Sequence, residues 1–311
     1  MGGGKGVGGG EGMVTQREIR TVPDPVGMRW RELLREAARA LEQAGIEGGM
    51  RDARRLLMAV LDIPAERVAL IADDCPQEER IDAFHAAVAR RRAREPLSHI
   101  VGHRAFYGHR FSVNAHVLDP RPETEHVVEQ ALEYPFRRVL DLGTGSGCIL
   151  LSLLCARPFA HGVGADLSLR ALEVARGNAD ALGLSDRARF VLSDWFAQLR
   201  GPFDLVVSNP PYISRRDMAA LPPEVAQYEP EQALCGGADG LDAYRAITAG
   251  AGRVLAPGGR LIVEIGRGQA PAVCALFAAA GLEDIAVQRD LSGHDRVVSG
   301  RRRAADAPAP A

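Results

Sequence analysis

Five consecutive residues, Ser208-Asn209-Pro210-Pro211-Tyr212, follow the apolar, β-rich run Phe203-Asp204-Leu205-Val206-Val207. Two prolines stiffen such a turn and remove two N–H donors, while every carbonyl stays available as an acceptor. Asn209 adds an amide oxygen and Tyr212 a flat wall. This combination suits a planar NH₂ group conjugated to a carbonyl or an aromatic ring. The side chain of Asn209 and the carbonyl of Pro210 can hold both of its hydrogens. When such a nitrogen acts as a nucleophile, positive charge develops on it, and acceptors already in place stabilise that charge. No general base is obligatory, because the alkylated nitrogen becomes acidic and releases its proton afterwards.

A second constellation lies upstream. Arg138-Val139-Leu140 leads into Asp141-Leu142-Gly143-Thr144-Gly145-Ser146-Gly147, and a helical pattern starts near Cys148. Glycines at alternate positions let the backbone turn tightly and let a ligand approach bare peptide at the carboxyl edge of a sheet. A dinucleotide turn reads G-x-G-x-x-G; here the third glycine comes one residue early and Cys148 stands in its place. Asp141, ahead of the glycines, would repel a pyrophosphate and favour an ammonium. The loop therefore suits a nucleoside with a cationic amino-acid tail better than a dinucleotide. Asp166 closes Gly162-Val163-Gly164-Ala165, where an acid accepts from ribose hydroxyls. Asp194 follows Phe190-Val191-Leu192-Ser193, placed to accept from an adenine amino group with Trp195 beside the ring.

Alternating strands and helices must position these loops. Strands are expected at 138–142, 161–166, 188–193, 203–208, 260–265, 283–290 and 295–301, with helical patterns at 123–133, 147–156, 168–182, 240–254 and 270–280. Such alternation means a parallel sheet covered on both faces. Ser292-Gly293-His294-Asp295 is too short for a crossover helix, so the last two strands pair antiparallel. The expected fold is α/β, a mostly parallel seven-stranded sheet with one antiparallel strand near its edge, spanning residues 121–303. Residues 28–96 read as a small helical domain, and 97–120, rich in glycine, aromatic and β-branched residues, as a hairpin linker. The run Arg90-Arg91-Arg92-Ala93-Arg94 reads as a solvated face at a helix C-terminus, in preference to a phosphate-binding patch. Residues 1–27 and 304–311 are expected to be disordered by composition.

The composition is that of an ordinary globular chain of 311 residues, 46% hydrophobic and 25% charged, with a formal net charge of −2. No basic field points to nucleic acid as the partner, and no apolar run approaches a membrane span. Five scattered cysteines without a CxxC pair read as incidental thiols of a reducing compartment, with no metal site. The expected location is cytoplasmic.

From Asp141 to Tyr212 the chain resembles the class I, Rossmann-like methyltransferases with an Asn-Pro-Pro-Tyr amino-methylating loop, a motif shared by DNA-adenine, rRNA-guanine and protein-glutamine enzymes. Further stretches resemble the HemK/PrmC family of peptide chain release factor glutamine methyltransferases: Arg94-Glu95-Pro96-Leu97-Ser98-His99-Ile100-Val101-Gly102, Pro120-Arg121-Pro122-Glu123-Thr124-Glu125, Ser193-Asp194-Trp195-Phe196 and Tyr228-Glu229-Pro230. Asp239-Gly240-Leu241 and Asp295-Arg296-Val297-Val298 fit as well, so the likeness covers residues 28–303. It implies S-adenosylmethionine as cofactor, held by Asp141, Gly143, Thr144, Gly145, Ser146, Gly147, Asp166, Asp194, Trp195 and Asn209. It implies Asn209, Pro210 and Tyr212 as catalytic residues. The substrate would be the glutamine of the Gly-Gly-Gln motif of bacterial class I release factors, held by Asn209, Pro210, Pro211 and Tyr212, with Phe106 helping to line its channel. The helical domain would dock the release factor. A ribosomal-protein glutamine methyltransferase usually reads Pro-Arg-Ser-Pro where this chain has Pro-Arg-Pro-Glu-Thr, and a nucleic-acid enzyme normally carries a basic recognition domain. A binding module that has lost its chemistry would not need an intact Asn-Pro-Pro-Tyr. Asp119 departs from the family, where an aliphatic residue usually precedes Pro120.

Overall fold

The computed structural model describes residues 1–2, 27–290 and 292–304. Nearly all of the extension and tail expected to lack structure lies outside the described residues. Apolar residues spaced three and four apart close a bundle of α1 (Trp30–Gln43), α2 (Gly49–Leu61), α3 (Ala65–Leu70), α4 (Glu78–Arg92) and α5 (Leu97–Val101). Leu33 and Leu41 from α1, Leu56 and Leu57 from α2, and Phe84 from α4 share one core. Trp30 meets Phe84 edge-on at 5.9 Å between ring centroids, a geometry aromatic pairs favour. Where α2 starts, a Cβ on Gly49 would lie 2.4 Å from the carbonyl oxygen of Ala38, so only glycine allows this approach to α1.

The hairpin is shorter than the 97–120 linker expected. Residues 97–101 form α5 and pack Leu97, Ile100 and Val101 on the helical core. Only β1 (His103–Phe106) and β2 (His109–Ser112) pair. A single helical turn rich in β-branched residues has little propensity of its own; tertiary packing stabilises it.

The second unit is a sheet of seven strands: β3 (Arg138–Leu142), β4 (His161–Asp166), β5 (Ala188–Leu192), β6 (Phe203–Ser208), β7 (Leu255–Glu264), β8 (Leu282–Arg289) and β9 (Asp295–Arg302). Their order is β5-β4-β3-β6-β7-β9-β8, parallel except for β9, which runs antiparallel to both neighbours. Thus the antiparallel strand lies one in from the edge. Strand β7 starts earlier than expected: Leu255 pairs with Phe203, and the register then slips before Arg260 pairs with Leu205. The Pro257-Gly258-Gly259 stretch lies in this irregularity. Alternation along the strands sends Val139 and Leu205 to one core, with α6 (Glu125–Leu132) and α7 (Cys148–Ala156). Leu140 and Val206 go to the other, with α10 (Asp242–Val254) and α11 (Ala270–Ala279). The remaining helices are α8 (Leu169–Ala181), between β4 and β5, and α9 (Pro223–Tyr228), in the segment after β6. Among the described residues no helix is long and apolar enough to cross a membrane.

The two units meet at a charged seam. Of the arginine run expected to be a solvated face, Arg90 and Arg92 are exposed, but Arg91 and Arg94 turn inward there. Arg91 donates to Asp52 Oδ2 at 3.0 Å and to the carbonyl of Glu95 at 3.0 Å, while Arg94 donates to Glu224 Oε2 at 3.0 Å and to the carbonyl of Gly45 at 2.9 Å. Tyr228 donates to the carbonyl of Ala93 at 2.7 Å. Thus α9, which follows the Asn-Pro-Pro-Tyr turn in the same β6–α10 connection, is strapped to the C-terminal end of α4. The carboxylates that face these arginines lie far away in sequence, which is why composition alone suggested solvent.

Candidate active site

Strand order reverses beside β3, with β4 and β5 on one side and β6 and β7 on the other. Such a reversal opens a crevice at the carboxyl ends of the strands. A cleft with about 1050 Å³ of empty space lies there. Its wall brings together Gly143, Thr144, Gly145 and Ser146 after β3, Asp166 at the end of β4, Asp194 and Trp195 after β5, and Asn209 and Pro211 after β6. Four loops distant in sequence converge because their strands are neighbours.

Gly143, Gly145 and Gly147 take φ values of 66°, 54° and 80°, in the left-handed region. A Cβ on Gly143 or Gly145 would meet nothing within 4 Å, whereas one on Gly147 would press on Leu151 at 3.1 Å and Ala175 at 3.3 Å. The first two glycines therefore present open backbone to the cleft, and the third packs the loop on its helix. Asp166 braces the loop: Gly145 N–H donates to its Oδ2 and Ser168 N–H to its Oδ1, both at 2.9 Å. Each carboxylate oxygen keeps a second lone pair for a ligand. Burial pushes the Asp166 pKa up, against those two amides, which lower it. Asn178 on α8 ties the loop to the hairpin, donating to the carbonyls of Ser146 at 2.9 Å and Ser112 at 3.1 Å and accepting from Ser112 N–H at 2.7 Å.

Five expected site residues are not part of the cleft wall: Asp141, Gly147, Phe106, Pro210 and Tyr212. Asp141 is fully buried and is not part of the cleft wall. Strand alternation points it to the same side as Val139, where its Oδ2 accepts from Thr144 Oγ1 at 2.7 Å and its Oδ1 has no partner among the described residues. Burial pushes its pKa up to about 7. Phe106, expected to help line a glutamine channel, is buried in the core against Phe111, at 6.1 Å between ring centroids. It shares the buried face of the β1–β2 hairpin with Phe111, so the cleft wall does not include it.

Around the Asn-Pro-Pro-Tyr turn the structure adds partners that the sequence did not announce. Thr124, at the start of α6, donates its hydroxyl to Glu264 Oε2 at 2.6 Å, and Asn209 Nδ2 donates to Thr124 Oγ1 at 3.0 Å. Tyr212 reaches the other oxygen of Glu264 at 3.4 Å. Glu264 is buried at the end of β7, and that burial pushes its pKa up to about 7. Gln269 donates to the carbonyls of Tyr212 at 3.0 Å and Gly240 at 3.2 Å. Gly240 admits this contact because a Cβ there would lie 2.4 Å from the Tyr212 carbonyl oxygen. Among the described residues no hydrogen bond engages Asn209 Oδ1 or the carbonyl of Pro210. One signal for Glu264 was available: like Asp141 and Asp166, it is an acid at the end of an apolar run, Leu261-Ile262-Val263-Glu264.

Arg121 and Glu229 close another side. Arg121 donates to both carboxylate oxygens of Glu229 at 2.6 and 2.8 Å, and Glu229, half of the Glu229-Pro230 signature, is held up to about 7 by burial despite that cation. Asp119, the departure from the family pattern, is accommodated in the same cluster, 3.7 Å from Arg104 and 3.9 Å from Arg121.

A seven-stranded sheet of this order, with a glycine loop, two strand-end acids and an Asn-Pro-Pro-Tyr turn at one cleft, defines a class I, Rossmann-like methyltransferase. Residues 32–102 match the family described as PrmC N-terminal domain, and residues 122–223 the one described as methyltransferase small domain. A release factor glutamine methyltransferase of Cereibacter sphaeroides is 52% identical over 278 residues, 89% of this chain and 100% of the relative. Another, of Rhodospirillum rubrum, is 50% identical and covers 88% of this chain and 85% of the relative. Among solved structures, the hMettl16 catalytic domain, in complex with a hairpin, superimposes with a TM-score of 0.54 at 17% identity, over 72% of this chain and 84% of that one, and shows the fold alone. The chain belongs to the release factor glutamine methyltransferase family.

Proposed function

We propose that this protein transfers a methyl group from S-adenosylmethionine to the side-chain amide nitrogen of the glutamine in the Gly-Gly-Gln motif of bacterial class I release factors. The observation that carries the reading is Asn209 Oδ1, unengaged by any of the described residues, in the same cleft wall as the glycine loop and Asp166. The residues fit the cofactor. Gly143 and Gly145 leave open space where any Cβ would stand, and Asp166 keeps lone pairs for ribose hydroxyls. Asp194 and Trp195 offer an acceptor and a ring at the far end. Asp141, beneath the loop, would act on the amino-acid tail only through Thr144, which it holds.

The cofactor, when bound, supplies an electrophilic methyl group on sulfur. Asn209 Oδ1 and the Pro210 carbonyl accept the two hydrogens of the glutamine amide and point its nitrogen lone pair at that methyl. Positive charge grows on the nitrogen as the bond forms, and the same two acceptors stabilise it. Tyr212, whose hydroxyl is pushed up by burial and stays protonated, walls the amide plane. The proton leaves after transfer, so no base is required in the cleft. The helical unit, matched by the PrmC N-terminal family, is the docking surface for the release factor. Methyl transfer from labelled cofactor to a purified release factor tests the whole reading, with a variant carrying glutamate in place of the motif glutamine as control. Labelling of that variant, or of a ribosomal protein, duplex DNA or rRNA in preference to the release factor, would overturn it.

A further inference from the structure

We infer that Glu264 is a positioning residue for methyl transfer: acting through Thr124, it decides which end of the Asn209 amide faces the cleft. The inference rests on the reading above, in which Asn209 Oδ1 receives the substrate amide.

An asparagine amide has nearly the same shape either way round, and only its partners choose between them. Thr124 has a single hydroxyl hydrogen. A carboxylate accepts only, so that hydrogen goes to Glu264 Oε2, 2.6 Å away. What remains on Thr124 Oγ1 is lone pairs, and the atom that approaches them at 3.0 Å must be a donor. Asn209 therefore turns its NH₂ to Thr124 and its oxygen to the cleft. The chain of donors runs one way, Asn209 to Thr124 to Glu264, and the carboxylate sets its direction. Tyr212 donates to the other oxygen of Glu264 at 3.4 Å, so the same carboxylate braces both ends of the Asn209–Tyr212 turn.

Glu264 is buried at the end of β7, an expensive place for an acid that only fills space. The ionisable and acidic groups that face it come from several elements: Arg296 on β9, Glu123 ahead of α6, Tyr212 in the turn, Tyr244 on α10 and Cys148 on α7. Arg296 favours the charged form and Glu123 opposes it, while burial holds the group up to about 7. Once Glu264 is protonated its own hydroxyl can donate, Thr124 is freed to donate to Asn209, and the amide loses its reason to keep oxygen outward. The sign follows: the competent orientation belongs to the carboxylate, so the transfer step speeds up as pH rises through about 7.

Single-turnover methylation of the release factor at saturating cofactor, as a function of pH, tests this in four variants. Thr124→Val should slow transfer about ten- to hundredfold, the worth of one hydrogen bond to a charged group, with cofactor affinity unchanged. Thr124→Ser, which keeps the hydroxyl, should restore most of the rate. Glu264→Gln should flatten the rise near neutral pH, because no proton is left to gain. Asn209→Ala is the control for the underlying reading. Full turnover in Asn209→Ala would sink the proposed function itself. Loss in Asn209→Ala beside full rate in Thr124→Val, or an undiminished pH rise in Glu264→Gln, would sink this inference alone. Should Thr124→Val fail to fold, Thr124→Ser and the pH profile of Glu264→Gln still decide it.

Discussion

At the scale of single residues the chemistry rests on Asn209. Asn209→Ala removes an acceptor aimed at developing charge, and loss of one such partner costs about 2.7–4 kcal/mol, roughly 10²–10³ in turnover. The fold should persist, because Gln269 still holds the Tyr212 carbonyl and two prolines stiffen the turn. Single-turnover rates beside cofactor titration on one preparation check this; near-normal turnover would make Asn209 architectural. Asp166→Ala should weaken S-adenosylmethionine by about 1.5–3 kcal/mol, the range for hydrogen bonds to charged groups. Part of that loss would come from the freed Gly145 N–H, which Asp166 now holds. Asp166→Asn, retaining one acceptor oxygen, should therefore lose less, and calorimetry that found equal losses would contradict the double role. Both residues were legible in the sequence as strand-end groups, and the fold brings both to the cleft wall. Asp141 was legible as a loop residue, but its full burial outside the cleft wall was not. The direction of its side chain depends on strand alternation against two cores, which spacing near a glycine loop does not reveal.

At the scale of elements, the loops are positioned by groups outside the motifs. Asn178 is the clearest case, a buried amide on α8 that satisfies the hairpin and the glycine loop together. Asn178→Ala would leave the Ser146 carbonyl without its partner in the interior, and the Ser112 N–H and carbonyl without theirs at its part-buried edge. Each such buried group costs about 1–3 kcal/mol. Denaturant unfolding should show a loss in that range or above, and cofactor affinity should fall with it, because Ser146 loses its tether. Stability within error of the parent protein would mean that water replaces the amide. No sequence feature marked Asn178: a polar residue inside a helical pattern reads as solvent-facing until the hairpin is folded onto it. Phe106 shows the converse, since an aromatic in a linker invites a ligand role and is in fact the anchor of β1 on the core.

At the scale of the whole molecule, the seam between helical unit and sheet unit carries its own energetics. Arg91 is nearly buried beside Asp52 at 3.0 Å, with Glu224 farther off at 3.5 Å. Removing one partner of a buried pair strands the other charge, at a cost of about 3–5 kcal/mol. Asp52→Ala should therefore destabilise strongly, and Glu224→Ala less, because Arg91 keeps its nearer carboxylate. Glu224→Ala should still free α9, seen as faster amide exchange over residues 223–228 with the helical bundle protected as before. Equal stability losses in the two variants would refute this division of roles.

What the sequence determined by itself is the set of local devices: the period of each strand and helix, the glycines of the loop, the prolines of the turn and the acids at strand ends. These follow from backbone geometry and side-chain chemistry within a few residues, and with the motifs they specified the sheet, its antiparallel strand and the class of reaction. Only the tertiary structure decided which atoms of those devices face a ligand. Glu264 lies 140 residues from Thr124, and Arg94 lies 130 from Glu224. Partners so remote become neighbours only through sheet order and domain packing, and a hydrogen bond or ion pair acquires its direction from the partner.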